Sequence, residues 1–120
     1  MIAQYADFSE ISMALRPVLH PRFKALAEGI SEFTFANIYL FREVHNYRIS
    51  QLPDGLLVIA GCDGAEPFFM LPFGLPAESI LRELFDRYRL ARALSETQAE
   101  KLAAMGYSIS QDRDNFDYLY

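Results

Sequence analysis

A chain of 120 residues with 52% hydrophobic and 14% aromatic side chains has the size of one domain and can bury a core of its own. That composition, with Cys62 as the only cysteine, excludes a disordered tail, a collagen-like repeat and a disulfide-stapled mini-protein. A net charge of −5 repels nucleic-acid phosphates, and no apolar run approaches the roughly 18 residues that a membrane-spanning helix requires.

No repeat or low-complexity linker interrupts residues 1–120, so the chain reads as a single domain. Asp7 and Glu10, three residues apart, match a capping box that would open a short helix. Pro17 and Pro21 are expected to break it, with Pro21 at the first position of a second helix ending near Gly29. Ser31 to about Val44 reads as a third helix, its broad apolar side formed by Phe35, Ile38, Tyr39 and Phe41.

Three strands follow: Tyr47–Leu52, Leu56–Gly61 and Glu66–Leu71, joined through Pro53-Asp54-Gly55 and Asp63-Gly64. Residues 56–60 are apolar without alternation, which places that strand centrally and covered on both faces. A helix from Pro76 carries Ile80, Leu81, Leu84, Phe85 and Tyr88 on one side. Ser95 and Gln98 form a second capping-box pattern, and Gly106 is positioned to end that helix, with Leu102 and Tyr107 closing it. A strand from Tyr107 to Ser110 completes the pattern. The fold class expected is α+β: N-terminal helices, a three-stranded antiparallel meander, then helix, strand, helix and strand.

Catalytic signatures are sparse. The sequence has no nucleophile elbow, no phosphate loop and no zinc-protease helix motif, and no metal-ligand spacing involves His20 or His45. His45, just past a helix end, is expected to be satisfied by the last carbonyls. Cys62 has no patterned partner and reads as an inert thiol. Arg82, Arg87, Arg89 and Arg92, offset by Glu83 and Asp86, read as a solvated helix face. In the loop Leu71–Pro76, Pro76 removes an amide and Glu78 puts a carboxylate where an anion would sit, so a structural turn is expected.

Two segments stand apart. Ser31–Arg42 mixes aromatic and polar residues and reads either as a core helix or as one that lines an interface or cleft. The last nine residues alternate polar and aromatic, with Phe116, Tyr118 and Tyr120 on one face. A chain ending so would leave an unprotected edge strand, and something else is expected to cover it.

Ser31-Glu32, Thr34-Phe35, Asn37, Tyr39 and Phe41-Arg42, then Tyr47, Pro72-Phe73-Gly74, and Arg113-Asp114, Phe116-Asp117-Tyr118 and Tyr120 carry a family resemblance. The pattern resembles a bacterial family of unknown function that is similar to the C-terminal aminoacyl-transfer domain of phosphatidylglycerol lysyltransferases. The resemblance implies two tandem lobes of the Gcn5-related acyltransferase fold, of which this chain would be the N-terminal one.

By that resemblance the chain is half of an acyl- or aminoacyltransferase, inactive alone, with Glu32, Asn37, Tyr39, Arg42, Phe116, Asp117, Tyr118 and Tyr120 facing a cleft or the missing lobe. No catalytic residue is implied in this lobe. The Pro72–Pro76 loop departs from the glycine-rich loop of coenzyme A-using members, so no cofactor is expected here. Aminoacyl-tRNA enters as a partner only through the resemblance. The absence of a leader and the lone cysteine favour a cytoplasmic setting. The competing expectation is a stand-alone interaction module, dimerising through its C-terminal aromatic strand.

Overall fold

Unbroken apolar runs in the middle of the chain build a sheet with two buried faces, and helices lie on both. The structure, a computed structural model, describes residues 2–25, 35–88, 90–92, 94, 96–111 and 116–119. In chain order the elements are β1 (Ser9–Glu10), a 3₁₀ turn (Met13–Leu15), α1 (Arg16–Lys24), α2 (Phe35–Leu40), β2 (Arg48–Gln51), β3 (Leu57–Asp63) and β4 (Glu66–Met70). Then come α3 (Glu78–Tyr88), β5 (Leu90–Ala91), α4 (Glu96–Ala104), β6 (Ser108–Gln111) and β7 (Phe116–Leu119). The strands form one sheet in the order β1-β2-β3-β4-β5-β7-β6. Every neighbouring pair is antiparallel except β4 and β5, which run parallel with Phe69 opposite Ala91. The architecture is mixed α+β.

Pleating assigns the core residues to their faces. Leu57 and Ile59 of β3 join Ile49, Phe68 and Met70 on one face, covered by Leu19 and Phe23 of α1 and Ile38 of α2. Val58 joins Phe69 and Leu71 on the other, beneath Leu81, Leu84 and Phe85 of α3 and Ala99 and Leu102 of α4. Double coverage is the reason residues 56–60 carry no polar alternation.

The turns obey local chemistry. Leu52 N–H donates to the Leu56 carbonyl at 2.7 Å, and Asp54 Oδ1 accepts from Leu56 N–H at 3.1 Å. Gly106, at φ +96°, ends α4: its N–H reaches the Ala103 carbonyl while Tyr107 N–H reaches that of Leu102, the Schellman pair expected from the sequence. Gln98 is buried, and its Nε2 donates 2.7 Å to the Leu71 carbonyl, tying α4 to the end of β4. Its proposed cap partner, Ser95, lies outside the described residues.

The N-terminal segment departs from expectation. No helix opens at Asp7; Ser9 and Glu10 pair with Ile49 and Arg48 as an edge strand instead. The Asp7 carbonyl accepts from Ser50 Oγ at 2.6 Å and Ser9 Oγ accepts from Ala3 N–H at 2.8 Å, while the Asp7 N–H that Glu10 would have capped donates to the Gln4 carbonyl at 2.8 Å. Pro17 and Pro21 do not separate two helices either, because α1 runs through Pro21. Leu15, Leu19 and Phe23 recur every four residues and are all buried, and that packing outweighs the backbone hydrogen bond lost at Pro21.

In the third predicted helix, residues 31–34 lie outside the described residues, and regular helix ends at Leu40, short of Val44. The chain turns on to Asn46, whose φ of +52° and the Tyr47 N–H to Arg42 carbonyl bond close it. At the other end of the chain, β7 does not form an unprotected edge. It is flanked by β5 and β6, with Leu119 opposite Leu90 and Ser108, so the open edge on that side belongs to β6.

Candidate functional site

The residues singled out in the sequence fall into two groups that sit on different elements. Tyr39 and Arg42 belong to α2 and its following turn, and α2 packs against α1. The Arg42 guanidinium lies 3.8 Å over the Tyr39 ring, and its Nη1 donates to the Tyr39 carbonyl at 2.6 Å, a cation capping a helix end. Asn37 is on α2. Phe116, Asp117 and Tyr118 are on β7, whose neighbours are β5, β6 and α4. Glu32 and Tyr120 lie outside the described residues. Beside Arg42, the side chains of Leu40, Phe41 and Val44 are 70%, 40% and 71% exposed, an apolar patch on the same turn.

A second locus was not legible in the sequence. An open cleft of about 340 Å³ lies between the N-terminal segment at Asp7 and Phe8 and the last turn of α3 at Arg87 and Tyr88; β2 and β3 form its floor through Arg48, Ala60 and Cys62. Each wall has a local cause. The Ser50 to Asp7 hydrogen bond holds the N-terminal segment down. Phe8 meets Tyr5 and Tyr88 edge to face at 6.2 and 6.3 Å. The Arg87 guanidinium sits 5.4 Å from the Phe8 ring and 5.5 Å from that of Tyr88.

Two guanidiniums and one carboxylate line this cleft, in a chain whose net charge is −5. Among the described residues neither Arg48 nor Arg87 has a carboxylate within ion-pair distance, whereas Arg82 is bonded to Glu78 at 2.8 Å. On α3 the run is a solvated face, with Arg82, Glu83, Asp86 and Arg87 all exposed; Arg87 also borders the cleft, and Arg92, past the helix, lies 4.7 Å over the Phe68 ring.

Burial pushes the Tyr88 hydroxyl above its usual value, with Arg87 pulling the other way. The folded state thus favours the neutral phenol. That stabilisation is fully present below about pH 10, where unfolded tyrosine begins to ionise, and is lost as pH rises through the higher folded value. Urea midpoints measured from pH 8 to 11 should fall less steeply for Tyr88→Phe than for the parent. Equal slopes would remove this assignment.

His45 also differs from expectation. Its Nδ1 is buried and finds no hydrogen-bond partner among the described residues, while its ring packs against Tyr47 at 5.2 Å and Phe68 at 6.1 Å. Aromatic walls, not helix carbonyls, hold it. No group of three or more His, Cys, Asp or Glu side chains that could hold a metal ion occurs among the described residues. No described helix is long and apolar enough to cross a membrane.

No protein-family model matches the chain, and no curated protein does. A solved structure, described as a conserved protein of unknown function from Bacteroides thetaiotaomicron VPI-5482, superposes with a TM-score of 0.77 at 19% identity. The match covers 94% of this chain and 40% of that one, so the two share a fold over a minority of the longer protein.

Proposed function

We propose that this chain is the N-terminal lobe of a two-lobed acyl- or aminoacyltransferase and is catalytically silent by itself. The observation that carries the reading is the exposed Leu40, Phe41 and Val44 patch, placed on the segment that bears the family-like motif. Exposed apolar side chains gathered within five residues, here around Arg42 and Glu43, fit a surface that another protein element covers. The longer Bacteroides neighbour supports the reading, since a protein more than twice this length has room for a companion lobe. The order of meander, helix, strand, helix and strand also agrees with the fold that the resemblance implies. Arg42, turned back onto Tyr39, then stiffens the rim of the contact, and a cytoplasmic setting goes with the reading.

Transfer assays test it. The 120-residue chain should show no turnover with acyl-coenzyme A or aminoacyl-tRNA, while a two-lobed protein containing it should turn over with one of them. Phe41→Asp in the two-lobed protein is expected to lower that turnover about tenfold or more by placing a charge in a desolvated contact. Turnover by the isolated chain, or a two-lobed protein indifferent to Phe41→Asp, would sink the proposal.

A further inference from the structure

We propose that the cleft between the N-terminal segment and the end of α3 binds a small ring-bearing organic anion, its oxyanion group held by Arg48 and Arg87. The volume of about 340 Å³ sits near the lower end of small-ligand sites, which run from about 300 to 1,000 Å³. Guanidinium is the side chain best matched to carboxylate and phosphate oxygens, because its fork of N–H donors is planar and always charged. Both guanidiniums that line this cleft lack a protein carboxylate partner among the described residues, although Asp7 borders the same space.

The remaining lining fits the rest of such a ligand. Phe8 and Tyr88 supply ring surface beside the Arg87 guanidinium. Tyr88, held neutral, can donate its hydroxyl proton to an oxyanion. Ala60 is small and lies on the sheet floor opposite Phe69 in the β3–β4 ladder, so the floor is rigid and shallow. Two guanidiniums and one carboxylate line the cleft itself, and Glu10 stands opposite Arg48 in the β1–β2 ladder beyond that lining. This assignment stands apart from the transferase reading: the chain can bind an anion here and never turn over.

Cys62 lines the same cleft and is the only cysteine, so its alkylation by neutral iodoacetamide reports occupancy. Phenyl phosphate and benzoate are the two test anions, with phenol as the neutral ring and sodium chloride at matched ionic strength as the screening control. At least one anion should slow alkylation saturably, about tenfold once the site is about 90% occupied. Protection by phenyl phosphate alone assigns a phosphate ester, and protection by benzoate alone assigns a carboxylate.

Arg48→Gln and Arg87→Gln should each raise the half-protecting concentration about tenfold, the loss expected for one charge-assisted hydrogen bond. Arg82→Gln, which removes the same charge outside the cleft, should leave it unchanged. Protection by neither anion, protection that sodium chloride reproduces, or equal weakening by Arg82→Gln overturns the assignment. Calorimetric titration of the protecting anion into Cys62→Ser gives a readout that does not involve the thiol. Saturable heat there supports the site, and its absence overturns it.

Discussion

Replacing Phe85 with alanine is expected to destabilise the chain by about 4 kcal/mol and lower its melting temperature by about 15 °C. Phe85 is completely buried on the α3 side of the sheet. Its ring stacks on Tyr107 at 4.5 Å and 26°, and meets the Phe69 ring edge to face at 5.0 Å. Truncation removes the transfer free energy of the ring and leaves a cavity under three elements at once: α3, β4 and the residue that closes α4. Phe85→Leu retains most of the volume and should cost about half as much, the remainder being the aromatic contacts. Urea unfolding followed by circular dichroism gives both values. A loss below about 1.5 kcal/mol for the alanine variant would mean that the site collapses around the gap. A double-mutant cycle with Tyr107→Leu should return a coupling of about 1 kcal/mol, because the two rings touch.

Gly61→Val is expected to be the second most damaging change, at about 3 kcal/mol, with Gly61→Ala near 2. A Cβ at this position would stand 2.9 Å from Tyr47 Cδ1 and 3.0 Å from both Phe68 Cζ and the His45 carbonyl oxygen. The close approach has a cause. Cys62 N–H donates to the His45 carbonyl at 2.7 Å, continuing the ladder of β3 past the end of β2 and drawing the turn onto Gly61. Phe68 is buried and cannot retreat, and a backbone oxygen has no rotamer to change. Adding Tyr47→Ala to Gly61→Ala should therefore recover only part of the loss, since the carbonyl contact persists. Denaturant midpoints of the single and double variants decide this. Full recovery would show that the Tyr47 ring alone set the cost.

The same neighbourhood explains why the candidate sites were unevenly legible. Tyr39 and Arg42 could be picked out because an aromatic and polar mixture at helical spacing is a local pattern. The cleft could not: Asp7, Arg48, Cys62 and Arg87 are separated by 41, 14 and 25 positions, and no spacing rule joins them. Cys62 reads as inert when its neighbours in sequence are the only ones considered. Only the register that pairs Cys62 with Pro67, and the helix that ends beside it at Tyr88, give it a surrounding. His45 departs from its expected environment for a related reason. Its helix end is indeed near, but the strand ladder pulls its carbonyl toward Cys62 and leaves the ring among Tyr47 and Phe68.

The amino-acid sequence by itself determined the β-meander, α3, the Schellman end of α4 and the double burial of β3. Each of these rests on period, turn chemistry or capping within a few residues, where the chain's own covalent spacing brings the partners together. Tertiary structure alone decided that Ser9 and Glu10 form a strand, that α1 continues through Pro21, that β7 inserts between β5 and β6, and that two guanidiniums share one cleft. The deciding partner is far along the chain: Ile49 and Arg48 for the first, the apolar sheet face for the second, Leu90 for the third, and for the fourth Arg48 and Arg87, 39 positions apart. Local preference is worth about 1 kcal/mol or less for most residues and about 3 kcal/mol for a proline inside a helix, and a strand ladder or a buried face outweighs it.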